Sequence, residues 1–150
     1  IVLDPLLKST SGGHLADESS VSKRSRSLFP LATLVTPNIP EACSLTGLCC
    51  LSTHDLHALA NAIIGLGPAA VLVKGGHLEG SECVDYLLEK GVSKGQEFRQ
   101  VRLSMPSIRG TGCRLASGIA ARLALGDDLE DAVENARSYL FTYFEKRCSS

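Results

Sequence analysis

Three short apolar runs, each closed by a polar residue, a proline or a glycine, constrain the fold of this chain more than any other feature. They are Ile1-Val2-Leu3 before Asp4-Pro5, residues 31–36 before Pro37, and residues 69–74 before Gly75-Gly76. Runs of this kind read as strands of a parallel sheet covered on both faces. Helical patterns separate them. Pro40-Glu41 starts a short helix through Thr46, which Gly47 stops. Ser52-Thr53-His54-Asp55 is a capping box, and the helix it opens carries Leu56, Leu59, Ala60, Ile63 and Ile64 at helical spacing before Gly65 and Gly67-Pro68 end it. Between the first two strands, residues 9–26 are rich in Ser, Gly and charge, which predicts a loop and then a polar helical segment.

The second half of the chain reads differently. Residues 83–89 and 97–103 alternate apolar and polar side chains, as edge or antiparallel strands do, with the turn from Gly91 to Gly95 between them. Gly110 to Gly112 leads into a helix bearing Leu115, Ile119, Ala120, Leu123 and Ala124. A last helix is expected over residues 128–146, with acids in its first turn and Lys146-Arg147 in its last, matching the helix dipole. This order of elements predicts an α/β sandwich with a mostly parallel sheet, and one domain over residues 1–150.

Composition narrows the function classes. The 150 residues are 44% hydrophobic and 21% charged, so a buried core is expected rather than disorder. A net charge of −1 gives no reason to expect a nucleic-acid or membrane surface, and Lys23-Arg24-Ser25-Arg26 reads as a solvated face. No apolar run approaches the roughly 20 residues of a membrane span, and no signal peptide is read. The six cysteines lack zinc spacing and the chain is too apolar for a disulfide scaffold, so reduced thiols in a cytoplasm are expected.

Chemistry concentrates at the strand ends, where open α/β sheets bind ligands. Asp4 ends the first strand. Thr36-Pro37-Asn38 ends the second, with Glu41 three residues on. Lys74-Gly75-Gly76-His77 ends the third, and the last β segment leads to Gly110-Thr111-Gly112-Cys113. Free amides of a glycine-rich turn at a helix start form an anion site. A lysine neutralises phosphate, and one or two carboxylates hold Mg²⁺. Singly, each residue has a plainer reading: Lys74 as a surface lysine, Asp4 as a cap, Asn38 and Glu41 as turn and dipole residues, His77 as a loop histidine. Their common placement points to phosphoryl transfer.

Val2-Leu3-Asp4-Pro5, the stretch Leu34-Val35-Thr36-Pro37-Asn38-Ile39-Pro40-Glu41-Ala42, then Val71-Leu72-Val73-Lys74-Gly75-Gly76-His77 and Gly110-Thr111-Gly112-Cys113 together resemble the hydroxymethylpyrimidine and phosphomethylpyrimidine kinases of thiamine biosynthesis, in the ribokinase superfamily. The resemblance covers essentially all of the chain. It implies a ribokinase-like three-layer α/β/α sandwich, ATP with Mg²⁺, and phosphorylation of 4-amino-5-hydroxymethyl-2-methylpyrimidine and then its monophosphate. It implies that Gly110, Thr111, Gly112 and Cys113 form the anion hole, that Lys74 faces the phosphates, that Asn38 and Glu41 serve Mg²⁺ and phosphate, and that Arg137 lies near the nucleotide; Asp4 is expected as a further carboxylate for the metal from its place at a strand end. Cys113 stands where most ribokinase relatives carry an aspartate base, which favours this kinase over pyridoxal kinase.

Cys113 also has a physical case. A thiol at a helix N-terminus is expected to have a lowered pKa, although as a base for an alcohol it would be weak and its role mostly positional.

The chain departs from the family at Arg109, Arg114 and Ala116, where His, Thr and Ser are usual. Arg114 could contact a phosphate or clash with one. Opening on a strand, the chain is expected to be the C-terminal, ATP-side portion of a domain whose N-terminal half supplies most pyrimidine contacts. Little turnover by the chain alone is therefore expected. A complete protein could form a homodimer. An inert relative acting as a binding module is the alternative from another class.

Overall fold

A computed structural model describes residues 1–5, 27–76, 78–102 and 110–148. The polar segment 9–26, His77 and Arg109 lie outside the described residues.

Among the described residues, five strands form one sheet: β1 (Val2–Leu3), β2 (Leu34–Val35), β3 (Ala70–Val73), β4 (Glu82–Glu89) and β5 (Gln96–Val101), in that spatial order. The first three are parallel, with Val2 opposite Leu34 and Val35 opposite Val71. The sheet then turns antiparallel, with Val73 opposite Tyr86 and Asp85 opposite Phe98. The sheet is therefore mixed, and the change falls where alternating patterning replaces continuous apolar runs. Residues of β2 and β3 are all buried, because both faces are covered.

Helix α1 (Ile39–Thr46) begins with reciprocal capping. The Glu41 amide donates to Asn38 Oδ1, and the Asn38 amide donates to Glu41 Oε2, each at 2.8 Å. Gly47 closes it in the left-handed region at φ 76°. The Ser52–Asp55 cap opens a single 3-10 turn, Thr53–Asp55, which runs on into α2 (Leu56–Ile64). Helices α3 (Thr111–Ala124) and α4 (Leu129–Cys148) follow β5.

Side-chain alternation along the strands builds two cores. Val35, Val71, Val73, Val84, Tyr86 and Leu88 pack under Leu45 of α1 and Leu56, Leu59 and Ile63 of α2. Leu34, Ala70, Leu72, Leu87 and Phe98 point the other way, under Leu115 and Ile119 of α3 and Val133 and Ala136 of α4. Three layers result, helices on both faces of one sheet. At Gly118 the two helices of the second layer touch: a Cβ there would lie 3.2 Å from Ala136 Cβ. Burying twelve large side chains to under 2% exposure, at about 1.5–3 kcal/mol each, makes the sheet a rigid base for the loops at its edge.

Candidate active site

The carboxyl ends of β1, β2 and β3 meet the N-terminus of α3. Asp4 follows β1 and Lys74 follows β3, and parallel pairing through β2 brings these two ends together. Lys74 Nζ lies 2.9 Å from Asp4 Oδ1, with only 13% and 12% of the two side chains exposed. Thr36, fully buried at the end of β2, donates its hydroxyl to the same oxygen at 3.2 Å. The other oxygen, Asp4 Oδ2, is buried and has no hydrogen-bond partner among the described residues that meets the usual distance and angle. An unsatisfied buried acceptor costs about 1–3 kcal/mol, so this oxygen is suited to take a donor or a cation. The amide of Lys74 donates to Pro37 O at 2.9 Å, and Asn38 and Lys74 form an isolated parallel bridge. The Asn38–Glu41 cap therefore sits beside Lys74.

Helix α3 enters from the opposite side. Gly110 caps it at φ 80°, a left-handed conformation suited to glycine. Gly112 is the point of closest approach: a Cβ there would stand 2.8 Å from Lys74 Nζ and 3.9 Å from Asp4 Oδ2. Glycine thus lets the Lys74 ammonium come up against the start of α3, where an ammonium, a carboxylate and the free amides of a helix start meet, a combination that suits a phosphate oxygen.

Cys113 corrects one expectation. Its thiol is exposed, yet its pKa is raised rather than lowered. Partial desolvation is the largest cause, followed by the negative charge of Asp4 and a hydrogen bond to it; Lys74 acts in the other direction. Desolvation and the neighbouring carboxylate together outweigh Lys74 and the backbone amide, and the group is a protonated thiol at neutral pH. Cys43, Cys49, Cys50 and Cys83 are free thiols as well.

Arg137 was expected near the nucleotide. Its guanidinium does not join this cluster but is 9% exposed, paired through Nη1 with Asp85 Oδ2 and donating from Nη2 to Phe98 O at 3.0 Å. Burial pushes its pKa down, yet an arginine stays charged at any physiological pH. The Arg114 amide donates to Gly110 O at 3.1 Å, while its guanidinium stacks on the Tyr143 ring of α4 at 5.0 Å. Two residues were given no role from sequence: Thr36, named only as the end of the second strand, and Asp85, whose signal was an acid at an inward position of β4.

The donor set suits a nucleotide's metal better than a metal held by protein alone. Among the described residues no three His, Cys, Asp or Glu side chains gather into a cation cage. Asp4 and Glu41 stand at neighbouring strand ends, and Glu41 is 7% exposed with one oxygen in the cap. Mg²⁺ keeps waters and phosphate oxygens among its ligands, so few carboxylates are needed.

Comparison with known proteins places this geometry in a lineage. A family model described as phosphomethylpyrimidine kinase matches residues 1–149. The chain is 40% identical over 140 residues to the thiamine biosynthesis bifunctional protein of Geobacter sulfurreducens, covering 93% of the chain and 28% of that protein. It is 35% identical over 145 residues to the hydroxymethylpyrimidine/phosphomethylpyrimidine kinase of Haemophilus influenzae, covering 93% and 53%. Among solved structures, a phosphomethylpyrimidine kinase from Clostridium difficile superposes with a TM-score of 0.76 at 35% identity, covering 95% of the chain and 56% of that one. A pyridoxal kinase from Staphylococcus aureus in complex with AMP-PCP gives 0.82 at 27% identity, covering 93% and 50%. The chain thus spans about half the length of the single-function kinase it matches, and less of the bifunctional protein. No helix among the described residues is long and apolar enough to cross a membrane.

Proposed function

Because the chain belongs to the phosphomethylpyrimidine kinase family, we propose that it forms the ATP-side portion of a kinase acting on 4-amino-5-hydroxymethyl-2-methylpyrimidine and then on its monophosphate. The observation that carries this reading is the close approach of Gly112, at the start of α3, to Lys74 Nζ and Asp4. A transferred phosphoryl group asks the protein for positioning and positive charge more than for covalent chemistry. Lys74 supplies the charge, and Asp4 fixes where that ammonium stands. The amides of Gly110, Thr111 and Gly112 line up at the positive end of α3 and donate hydrogen bonds to phosphate oxygens. Cys113, held as a neutral thiol by burial and by Asp4, donates a hydrogen bond and sets the width of the turn; it does not act as a thiolate base. Asp4 and Glu41, with Asn38, are the residues that would hold Mg²⁺, which when bound would neutralise phosphate charge.

The test is ATP-dependent phosphorylation of the hydroxymethylpyrimidine, measured on the chain alone and on the chain joined to the preceding half of the Haemophilus influenzae kinase. The joined protein is expected to turn over in a manner that depends on Lys74 and Cys113, and the chain alone to do little beyond binding nucleotide. A folded joined protein with no turnover would overturn the proposal and favour an inert relative. A preference for pyridoxal over the pyrimidine would reassign the substrate.

A further inference from the structure

Two consecutive amides at the end of β3 are tied in opposite directions. The Lys74 amide donates to Pro37 O on the β2 side at 2.9 Å. The Gly75 amide donates at 2.8 Å to the side-chain oxygen Oδ1 of Asp85, on the β4 side, and this bond is buried. Asp85 is itself 6% exposed, and its second oxygen takes the Arg137 guanidinium, which also holds Phe98 O. Nothing at Gly75 can give way, because a Cβ there would lie 1.8 Å from Val84 O. The backbone on both sides of the Lys74 Cα is thereby fixed, and with it the direction in which the lysine leaves the strand toward Asp4.

A buried ion pair is a poor explanation for stability alone. Replacing both members by apolar residues of similar volume is often neutral or stabilising. The pair in this chain has a second output, since one carboxylate oxygen is committed to a backbone amide adjacent to a site residue. We propose that Asp85 and Arg137 are positioning residues, which act through the Gly75 amide to hold Lys74 against Asp4 and the phosphate opening. The proposal rests on the reading of Lys74 as the phosphate-facing cation.

The experiment compares the full chain with Arg137→Met, Arg137→Lys and the apolar double variant Asp85→Leu/Arg137→Met. Thermal midpoint, ADP affinity by calorimetry and the NMR signal of the Lys74 ammonium are recorded for each. The double variant is expected to stay folded, to bind ADP about tenfold more weakly, and to move the Lys74 signal toward that of an unpaired lysine. Arg137→Lys, which restores the charge, is expected to recover most of what Arg137→Met loses. Folded variants with unchanged ADP affinity and an unchanged Lys74 signal would overturn the proposal. Should the double variant fail to fold, the contrast between Met and Lys at position 137 decides the same question. Should the unsubstituted chain bind no ADP, the nucleotide reading fails, while the Lys74 signal still decides whether the pair positions that residue.

Discussion

Lys74 Nζ stands 2.9 Å from Asp4 Oδ1 although 70 residues separate them in the chain. Two parallel ladders, β1 on β2 and β2 on β3, are what close that distance. The pair is mostly buried, so removing the lysine leaves a carboxylate without its counter-charge. Lys74→Met should weaken ADP binding about tenfold, near 1.4 kcal/mol, and abolish measurable turnover in the joined protein. Lys74→Arg should restore charge but not geometry, since a planar fork does not replace a compact ammonium. Calorimetric titration with ADP checks both variants; equal affinity in Lys74→Met and the parent would remove Lys74 from the site.

The glycines of the turn are expected to fail in different ways. Gly112→Ala puts a methyl 2.8 Å from Lys74 Nζ, the end of a flexible side chain, so the fold survives and the anion space is lost. Gly110→Ala meets nothing within 4 Å but must hold φ 80°, a strain of about 1–2 kcal/mol. Melting curves and ADP affinities should therefore separate: Gly112→Ala loses mainly affinity and Gly110→Ala mainly stability. The reverse pattern would mean that the turn is not where phosphate binds.

The order of elements and the strand-end cluster were legible because they rest on local rules. A continuous apolar run marks a covered strand, and Lys74 and Asp4 each occupy the first polar position after one. Arg137 was not legible in the same way. Its fate depends on Asp85, 52 positions earlier by number (137 − 85), across an antiparallel ladder whose register no local pattern fixes. The same is true of Cys113: its position at a helix start predicts a lowered pKa, whereas its partial burial first and the tertiary approach of Asp4 second raise it. Arg114 read as a departure at the phosphate turn, and its stacking on Tyr143 twenty-nine residues on (143 − 114) is a tertiary contact no local pattern announces.

The thiol of Cys113 gives a pH signature. With its pKa raised by burial and by Asp4, iodoacetamide alkylation of the Cys113 peptide should rise at higher pH than that of an ordinary exposed cysteine. Asp4→Asn should move the profile to lower pH by removing the negative charge, and Lys74→Met should move it higher by removing the positive one. Peptide mass spectrometry after timed alkylation reads each profile separately from the other cysteines. A Cys113 that reacts as a thiolate at neutral pH would contradict its assignment as a neutral donor.

Gly75→Ala should be the most damaging of the single glycine changes. The added Cβ would meet backbone, Val84 O at 1.8 Å, and backbone on a central ladder cannot move aside as a lysine tip can. A loss above about 3 kcal/mol is expected, in the range reserved for overpacking and broken buried hydrogen bonds together, because the shift also pulls the Gly75 amide from Asp85. Urea unfolding followed by circular dichroism checks it, and a loss under 1 kcal/mol would show that β3 and β4 part easily at this point.

Acidification should loosen the start of α2. Asp55 has its pKa lowered because the Leu51 and Ser52 amides and the Ser52 hydroxyl all donate to its carboxylate. A folded-state value below the unfolded one, which is about 3.9, means that the stabilisation is complete above the unfolded value and drains as pH falls through the folded one. Asp55→Asn keeps an acceptor but no charge, so it should be less stable than the parent at neutral pH and approach it as the carboxyl protonates. The comparison is made by urea midpoints of both proteins at neutral pH and at about pH 3, below the unfolded value. A gap between them that stays constant with pH would mean that the cap owes nothing to the ionised form of Asp55.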